Sequence, residues 1–396
     1  MNSNQSRIAG RHFLQIPGPT PVPERIQRAI SQAVLDHRGP AFQRLGEEVL
    51  RGIRTIFRTS GPVIIYPASG TGAWEAALVN ALSAGDKVLM FETGHFSTLW
   101  KNMAMRLGIE VELIESDWRV GADPALIEAR LAEDRAHEIK AVCVVHNETS
   151  TGCLSPIAEI RAAIDRANHP ALFLVDTISS LGSVDYRHEE WGVDVTVSGS
   201  QKGLMLPPGL SFTAVSDKAL SAAKKSNLPK IFWSWEEMLG PNEKGFFPYT
   251  PATTMLYGLN EAIAMLHEEG LENVFARHRR HAEATRDAVD AWGLENLCRD
   301  PRYYSPVLTA VLLPASHDAD IFRKRTLEAF DISLGAGLTK LAGRVFRIGH
   351  LGDTNDLTIL GALGGVEMGL RLSGVPLRGS GVQAAMEAMT SAARAA

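Results

Sequence analysis

The sequence predicts an α/β protein with a large, mostly parallel-sheet domain and a smaller C-terminal α/β domain. Three observations point there. Short apolar runs alternate with stretches of helical spacing from Val63 to Val215. A glycine-rich turn joins the first of those runs to the helical stretch behind it. After Pro251 the pattern changes to two long helices and a second, smaller set of strands and helices. A chain of 396 residues has ample length for one large core and a second, smaller one.

Taken in order, Ile16-Pro-Gly-Pro-Thr-Pro-Val-Pro23 cannot form helix or central strand, because proline lacks the backbone donor and fixes φ. It reads as an extended arm on a surface. Val63–Tyr66, Lys87–Glu92, Ala141–His146, Ala171–Asp176, Val193–Ser198 and Ser211–Val215 are short and apolar on both faces, as buried parallel strands are. Between them Ala73–Leu82, Phe96–Leu107, Pro124–Glu133 and Pro156–Ala167 have helical spacing. Such alternation places ligands at the carboxyl ends of the strands. Thr253–Glu269 and Leu271–Trp292 read as long helices, the second with arginine and histidine on a solvated face. Val307–Leu313, Ala319–Phe330, Val345–Ile348 and Asp356–Leu372 make the smaller unit. The expected division is an arm over 1–22, a large domain over 23–275 and a small domain over 276–396.

Composition narrows the function. Apolar residues are 45%, charged residues 21%, and the net charge is −5, so no basic field attracts nucleic acid or anionic lipid. Three scattered cysteines, Cys143, Cys153 and Cys298, form neither a disulfide framework nor a zinc pair. No metal is expected. Met1–Gly10 lacks the apolar core of a signal peptide, and no eighteen-residue apolar run is present to span a membrane. The C-terminus, Ala392–Ala396, carries no Ser-Lys-Leu address. A cytoplasmic enzyme is the expectation.

Chemistry concentrates at a few positions. Lys202, in Ser198-Gly-Ser-Gln-Lys-Gly203, follows a strand in a run of small residues, where an amine sheds ammonium character and becomes nucleophilic. The competing reading is a lysine snorkelling from a surface turn. Asp176 ends an apolar strand, so its carboxylate emerges where ligands bind. A pyridoxal ring needs such an anion beside its nitrogen, although an aspartate at a strand–helix junction also serves as an N-cap. Ser69-Gly-Thr-Gly-Ala73 offers hydroxyls, close backbone approach and a helix N-terminus to a phosphate monoester. It is neither a Walker loop nor a dinucleotide fingerprint, since position 75 is Glu.

These motifs, followed in order by His146-Asn-Glu-Thr-Ser-Thr-Gly152, Val175-Asp176 with Ser179-Ser-Leu-Gly182, and Val345-Phe-Arg-Ile-Gly-His-Leu-Gly352, resemble the class V aminotransferases. Within that group the resemblance is to the serine–glyoxylate and alanine–glyoxylate enzymes, from the Pro-Gly-Pro arm to Gly379-Ser-Gly381. It implies the fold type I architecture of pyridoxal-phosphate-dependent transferases, pyridoxal 5′-phosphate as cofactor, a small amino acid and glyoxylate as substrates, and a homodimer with shared sites. Lys202 would carry the cofactor covalently and shuttle the α-proton. Asp176 would pair with the ring nitrogen, and Ser69, Gly70, Thr71 and Gln201 would hold the phosphate. Thr149 would meet the phenolic oxygen, Phe96 would stack on the ring, and Thr250 would reach the partner's phosphate. Arg347 would grip the substrate carboxylate, as a planar guanidinium does bidentately.

Serine is the expected donor, with aspartate or alanine as alternatives. A β-lyase or desulfurase on the same fold would need a mobile cysteine ahead of Arg347, and Asp331–Arg344 contains none. Cys298 reads as part of a surface turn. A non-catalytic binding protein is the remaining alternative. Arg277-His-Arg-Arg-His281 reads as a solvated helix face, His146 as a minor candidate acid or base, and Trp74, Trp100, Met103 and Met105 as core. Lys224–Glu237 is a candidate contributor to the donor pocket.

Overall fold

The computed structural model describes residues 9–395. Met1–Ile8 and Ala396 lie outside that range, and with them the first part of the arm and most of the segment read for a leader.

In chain order, β1 (Phe13–Gln15) precedes α1 (Glu24–Ile30) and α2 (Pro40–Phe57). Then come β2 (Val63–Tyr66), α3 (Gly70–Ala81), β3 (Lys87–Phe91), α4 (His95–Arg106), β4 (Glu110–Ile114), α5 (Pro124–Glu133) and β5 (Ile139–Val145). A two-strand hairpin, β6 (Asn147–Glu148) and β7 (Cys153–Leu154), leads to α6 (Ile157–Arg166), β8 (Leu172–Asp176), β9 (Val195–Gly199) and β10 (Ser211–Val215). Helices α7 (Asp217–Ala223), α8 (Trp235–Asn242), α9 (Thr253–Glu269) and α10 (Leu271–Trp292) follow. The last third holds β11 (Glu295–Asn296), β12 (Leu308–Leu312), α11 (Ala319–Phe330), β13 (Ile332–Ala336), β14 (Val345–Gly349), α12 (Asp356–Leu372) and α13 (Gly381–Ala395).

The large sheet runs β2-β10-β9-β8-β5-β3-β4. Every neighbouring pair is parallel except those of β10, which is antiparallel to both β2 and β9. Ser211–Val215 therefore departs from the expected parallel sense. It returns directly from the turn after β9, which leaves no length for a crossover. Strand β4 at the edge was not anticipated: Glu110-Val-Glu-Leu-Ile114 is only half-buried and lacks the continuous apolar run of a central strand. The carboxyl ends of β3, β5, β8 and β9 share one edge, where side chains after each strand can converge.

The smaller sheet runs β1-β13-β14-β12-β11. Its first strand comes from the N-terminus: Phe13–Gln15 pairs in parallel with Ile332–Leu334. Beyond it the proline-rich arm does not lie on an outer surface. It crosses to the large domain, where the Thr20 N–H donates to the Gln201 carbonyl at 3.1 Å and the Thr20 hydroxyl to that of Lys202 at 3.3 Å. Gly18, at φ +90°, packs directly on the Lys202 side chain, an approach only a residue without Cβ can make.

Helix α10 joins the two cores. Val274 and Phe275 pack in the large one, and Ala284, Ala288, Val289 and Trp292 in the small one. Because opposite turns face different domains, the basic segment Arg277–His281 is not the expected solvated face. His278 and His281 are buried, and burial lowers their imidazole pKa values to about 3 and about 4. The Nε2 of His278 accepts from the Gly352 N–H at 3.2 Å, and His281 pairs with Asp356 at 2.9 Å. Arg277 bonds Glu269 and the carbonyls of Gly352 and Thr354. Cys298 is likewise buried, its thiol 3.5 Å from the Tyr303 carbonyl. Trp74 and Trp100 fill core as expected and stack at 6.0 Å, whereas Met105 is exposed. Among the described residues no helix is long and apolar enough to cross a membrane.

Candidate active site at the carboxyl edge of the large sheet

Asp176 is the last residue of β8, and Lys202 lies in the turn after the adjacent β9. Both are buried. Asp176 accepts from the Ile178 N–H at 2.6 Å and from the Trp74 indole N–H at 3.0 Å. Burial nonetheless raises its carboxyl pKa to about 7, with a smaller push from Glu148 and an opposing pull from Lys202. Burial lowers the Lys202 amine to about 7, and the nearby Arg347 charge lowers it further against the pull of Asp176. The ammonium donates to the Pro17 carbonyl. A buried acid and a buried amine at the ends of adjacent strands, each shifted by desolvation toward its neutral form, are suited to proton transfer and nucleophilic capture at a ligand between them.

Facing them is the N-terminus of α3. Ser69 caps it without a side-chain cap bond, and Ser69 and Thr71 are exposed. The backbone is tight here: a side chain on Gly72 would meet the Trp233 ring at 2.7 Å. Trp233 belongs to the segment 224–237 considered for the donor pocket, and it packs edge-on against Tyr66 at 5.1 Å. The Gln201 Oε1 is buried without a hydrogen-bond partner.

The third wall is the turn between β6 and β7. Glu148 is fully buried and caps α4, accepting from the N–H groups of Phe96 at 3.3 Å and Ser97 at 3.1 Å. It also accepts from the Ser150 N–H and hydroxyl at 3.0 and 2.7 Å. Helix α4 thereby fixes His95 and Phe96, and the Phe96 ring lies 6.5 Å from that of Trp74. Arg347, in β14, donates through Nε to the Ala336 carbonyl at 2.7 Å and through Nη1 to that of Thr149 at 2.8 Å. Those bonds span both domains and leave part of the guanidinium fork uncommitted. Burial lowers the Arg347 pKa to about 10, and Glu148 partly offsets it.

Lys202, Asp176, Thr149 and Arg347 are thus linked by charge or hydrogen bonds, with Phe96 anchored through Glu148. Thr250 is exposed on the loop before α9. His146 is buried behind the site, bonded to the Ser180 hydroxyl at 2.9 Å, and burial lowers it to about 3, which removes it as a base exchanging with solvent. The sequence reading missed Pro17, Gly18, Trp74 and Glu148. Only Glu148 had a local signal, a carboxylate among small residues directly after a buried strand.

This arrangement of sheets, with a buried lysine beyond one strand and a buried acid ending its neighbour, is that of fold type I pyridoxal-phosphate-dependent enzymes. Ureidoglycine–glyoxylate aminotransferase from Bacillus subtilis superposes with a TM-score of 0.90 at 28% identity, covering 98% of this chain and 100% of that one. The chain belongs to the class-V aminotransferase family, whose family model matches residues 13–339. It is 49% identical over 387 residues to serine–glyoxylate aminotransferase of Methylorubrum extorquens, covering 96% of each. It is 44% identical to L-aspartate–glyoxylate aminotransferase of Paracoccus denitrificans, covering 94% of each.

Proposed function

We propose that this protein binds pyridoxal 5′-phosphate and transfers the amino group of L-serine to glyoxylate by a ping-pong mechanism. The observation that carries the chemistry is the Lys202–Asp176 pair, both buried at the carboxyl ends of the adjacent strands β8 and β9, where desolvation favours the neutral amine. The residues present fit the cofactor. Ser69 and Thr71 offer unused hydroxyls at a helix N-terminus with Gly70, and the Gln201 side chain lies beside them, where its amide NH₂ would be the group that donates to a phosphate. Asp176 suits the ring nitrogen, Thr149 the phenolic oxygen and Phe96 the ring face. When bound, the cofactor supplies the electron sink for the donor's α-carbon.

The chain's own part is orientation and proton transfer. Arg347 turns its free donors to the carboxylate shared by donor and acceptor, which sets the α-carbon over Lys202. The Lys202 Nζ takes the α-proton of the donor and returns a proton when glyoxylate is aminated. Thr250, exposed before α9, serves the phosphate of a partner chain in a homodimer. We also place the domain boundaries at 22/23 and 275/276, which the division of α10 between two cores favours. Three free cysteines agree with a cytoplasmic setting.

Serine as donor rests on the similarity to serine–glyoxylate enzymes; aspartate is the second reading, from the similarity at 44%. The test is a visible absorption spectrum of the cofactor-loaded protein. L-serine should bleach the band and glyoxylate should restore it. A response to aspartate but not to serine overturns the donor and keeps the chemistry. A protein that stays colourless with added cofactor overturns both.

Two further results follow from the geometry. Replacing Arg347 by Lys keeps the charge but loses the fork, so KM for serine and for glyoxylate should each rise about tenfold with a smaller fall in kcat. Steady-state kinetics with both substrates measures this. Cofactor capture by the apoprotein should also depend on pH. As pH rises Lys202 loses its proton and becomes nucleophilic, while Asp176 loses its own and becomes the counter-charge; both changes favour capture. The stopped-flow rate should climb from acid pH through about 7 and level off above it. A flat profile between pH 6 and 8 contradicts the lowered amine.

A further inference from the structure

Away from Lys202, a cavity of about 450 Å³ opens between the large domain and α10. Its apolar wall is formed by Leu154, Val184, Trp191, Pro301 and Tyr304. Arg286, in α10, projects into it. Its guanidinium stacks over the Tyr304 ring at 4.8 Å and donates through Nη1 to the Ser305 carbonyl at 3.2 Å. Among the described residues it forms no ion pair with any carboxylate. Arg286 is half-buried, and with one bond formed most of its five N–H donors are left for an occupant of the cavity.

Glu283 and Asp287 lie near enough to favour the Arg286 charge, but neither is within ion-pair distance of it, and the other charges of the crevice leave its donors free. Asp185 is engaged by Arg58 at 2.9 Å and Arg187 at 3.0 Å. Glu159, Arg279 and Glu283 are exposed at the rim, where water screens them. What is left is a planar cation against an aromatic ring at the end of an apolar slot, the usual composition of a site for an organic anion.

We propose that this interdomain crevice is a second ligand site, which takes a small carboxylate with an apolar or aromatic body and seats the carboxylate on Arg286. The cavity also touches His146, whose backbone N–H donates to the Asp176 carbonyl at 2.9 Å. An occupant therefore touches the residue that follows β5 and is hydrogen-bonded to the end of β8, which carries the candidate catalytic acid, and through α10 it meets the joint between the domains.

Phenylacetate is a suitable probe, because it has neither an amino nor a 2-oxo group and cannot be transaminated. Isothermal titration of the cofactor-loaded protein should give one saturable site, retained in Arg347→Met and weakened at least about tenfold in Arg286→Gln. Ala158 is exposed on α6 and lines the same cavity. Ala158→Phe adds bulk to the cavity from the wall on α6, and it should weaken binding similarly while leaving transamination unchanged. The proposal is overturned by the absence of saturable binding up to about 1 mM, by binding lost in Arg347→Met, or by binding indifferent to both Arg286→Gln and Ala158→Phe. None of these outcomes depends on which amino donor the enzyme uses.

Discussion

Lys202→Ala should lower the transamination rate by at least about 10³-fold, because in the proposed role one side chain both holds the cofactor and moves the α-proton. Neither His146 nor Glu148 replaces it as a base. His146 lies behind the site with its pKa lowered by burial to about 3, and Glu148 is spent on the N-terminus of α4. The variant should nevertheless fold. The wild-type amine is buried with no carboxylate in ion-pair contact among the described residues, and burial disfavours its charged form. Removing it relieves that penalty and forfeits the bond to the Pro17 carbonyl. The melting temperature of the apoprotein should therefore stay level or rise. Borohydride trapping followed by peptide mass spectrometry should label Lys202 in the wild type and no other lysine in the variant. Transamination by Lys202→Ala at the wild-type rate would refute the assignment.

Asp176→Asn is expected to cost about 10²–10³-fold in the half-reaction with serine, the range seen when one preorganised electrostatic partner is removed. The substitution is nearly isosteric, so its effect isolates charge from shape. An asparagine oxygen can accept from either Ile178 or Trp74, but its NH₂ then faces the other donor. Some local rearrangement, and weaker cofactor binding, should accompany the rate loss. Single-turnover bleaching with saturating serine separates the two, since it reports the loaded fraction alone. If the loaded Asp176→Asn protein bleaches within about threefold of wild type, the ring-nitrogen role is wrong. In that case the buried carboxyl is only a brace between Trp74 and the turn at Ile178.

Much of the candidate site was proposed from the sequence because its signals are local. Lys202 in a run of small residues, Asp176 at the end of an apolar strand and the glycines at 70 and 72 each reflect a demand that the nearest few residues satisfy. The bounds of α5, α9, α10, α11 and α12 agree with the sequence reading because amphipathic period and turn residues are likewise short-range properties. The readings that failed involve distant parts of the chain. Nothing near Phe13 announces a strand whose partner is Ile332, and nothing near Pro17 announces a carbonyl for Lys202.

The sequence by itself determined the α/β class, the succession of strands and helices in the large domain, and the residue types able to carry the chemistry. Only the tertiary structure decided their environments. Whether a histidine in Arg277–His281 faces water or two packed cores depends on which turns of α10 meet which domain. The shifts of Lys202 and Asp176 toward neutrality follow from burial by segments remote in sequence. Desolvation is a property of the assembled fold, and it is what shifts an ordinary lysine and aspartate toward the neutral forms that the proposed chemistry uses.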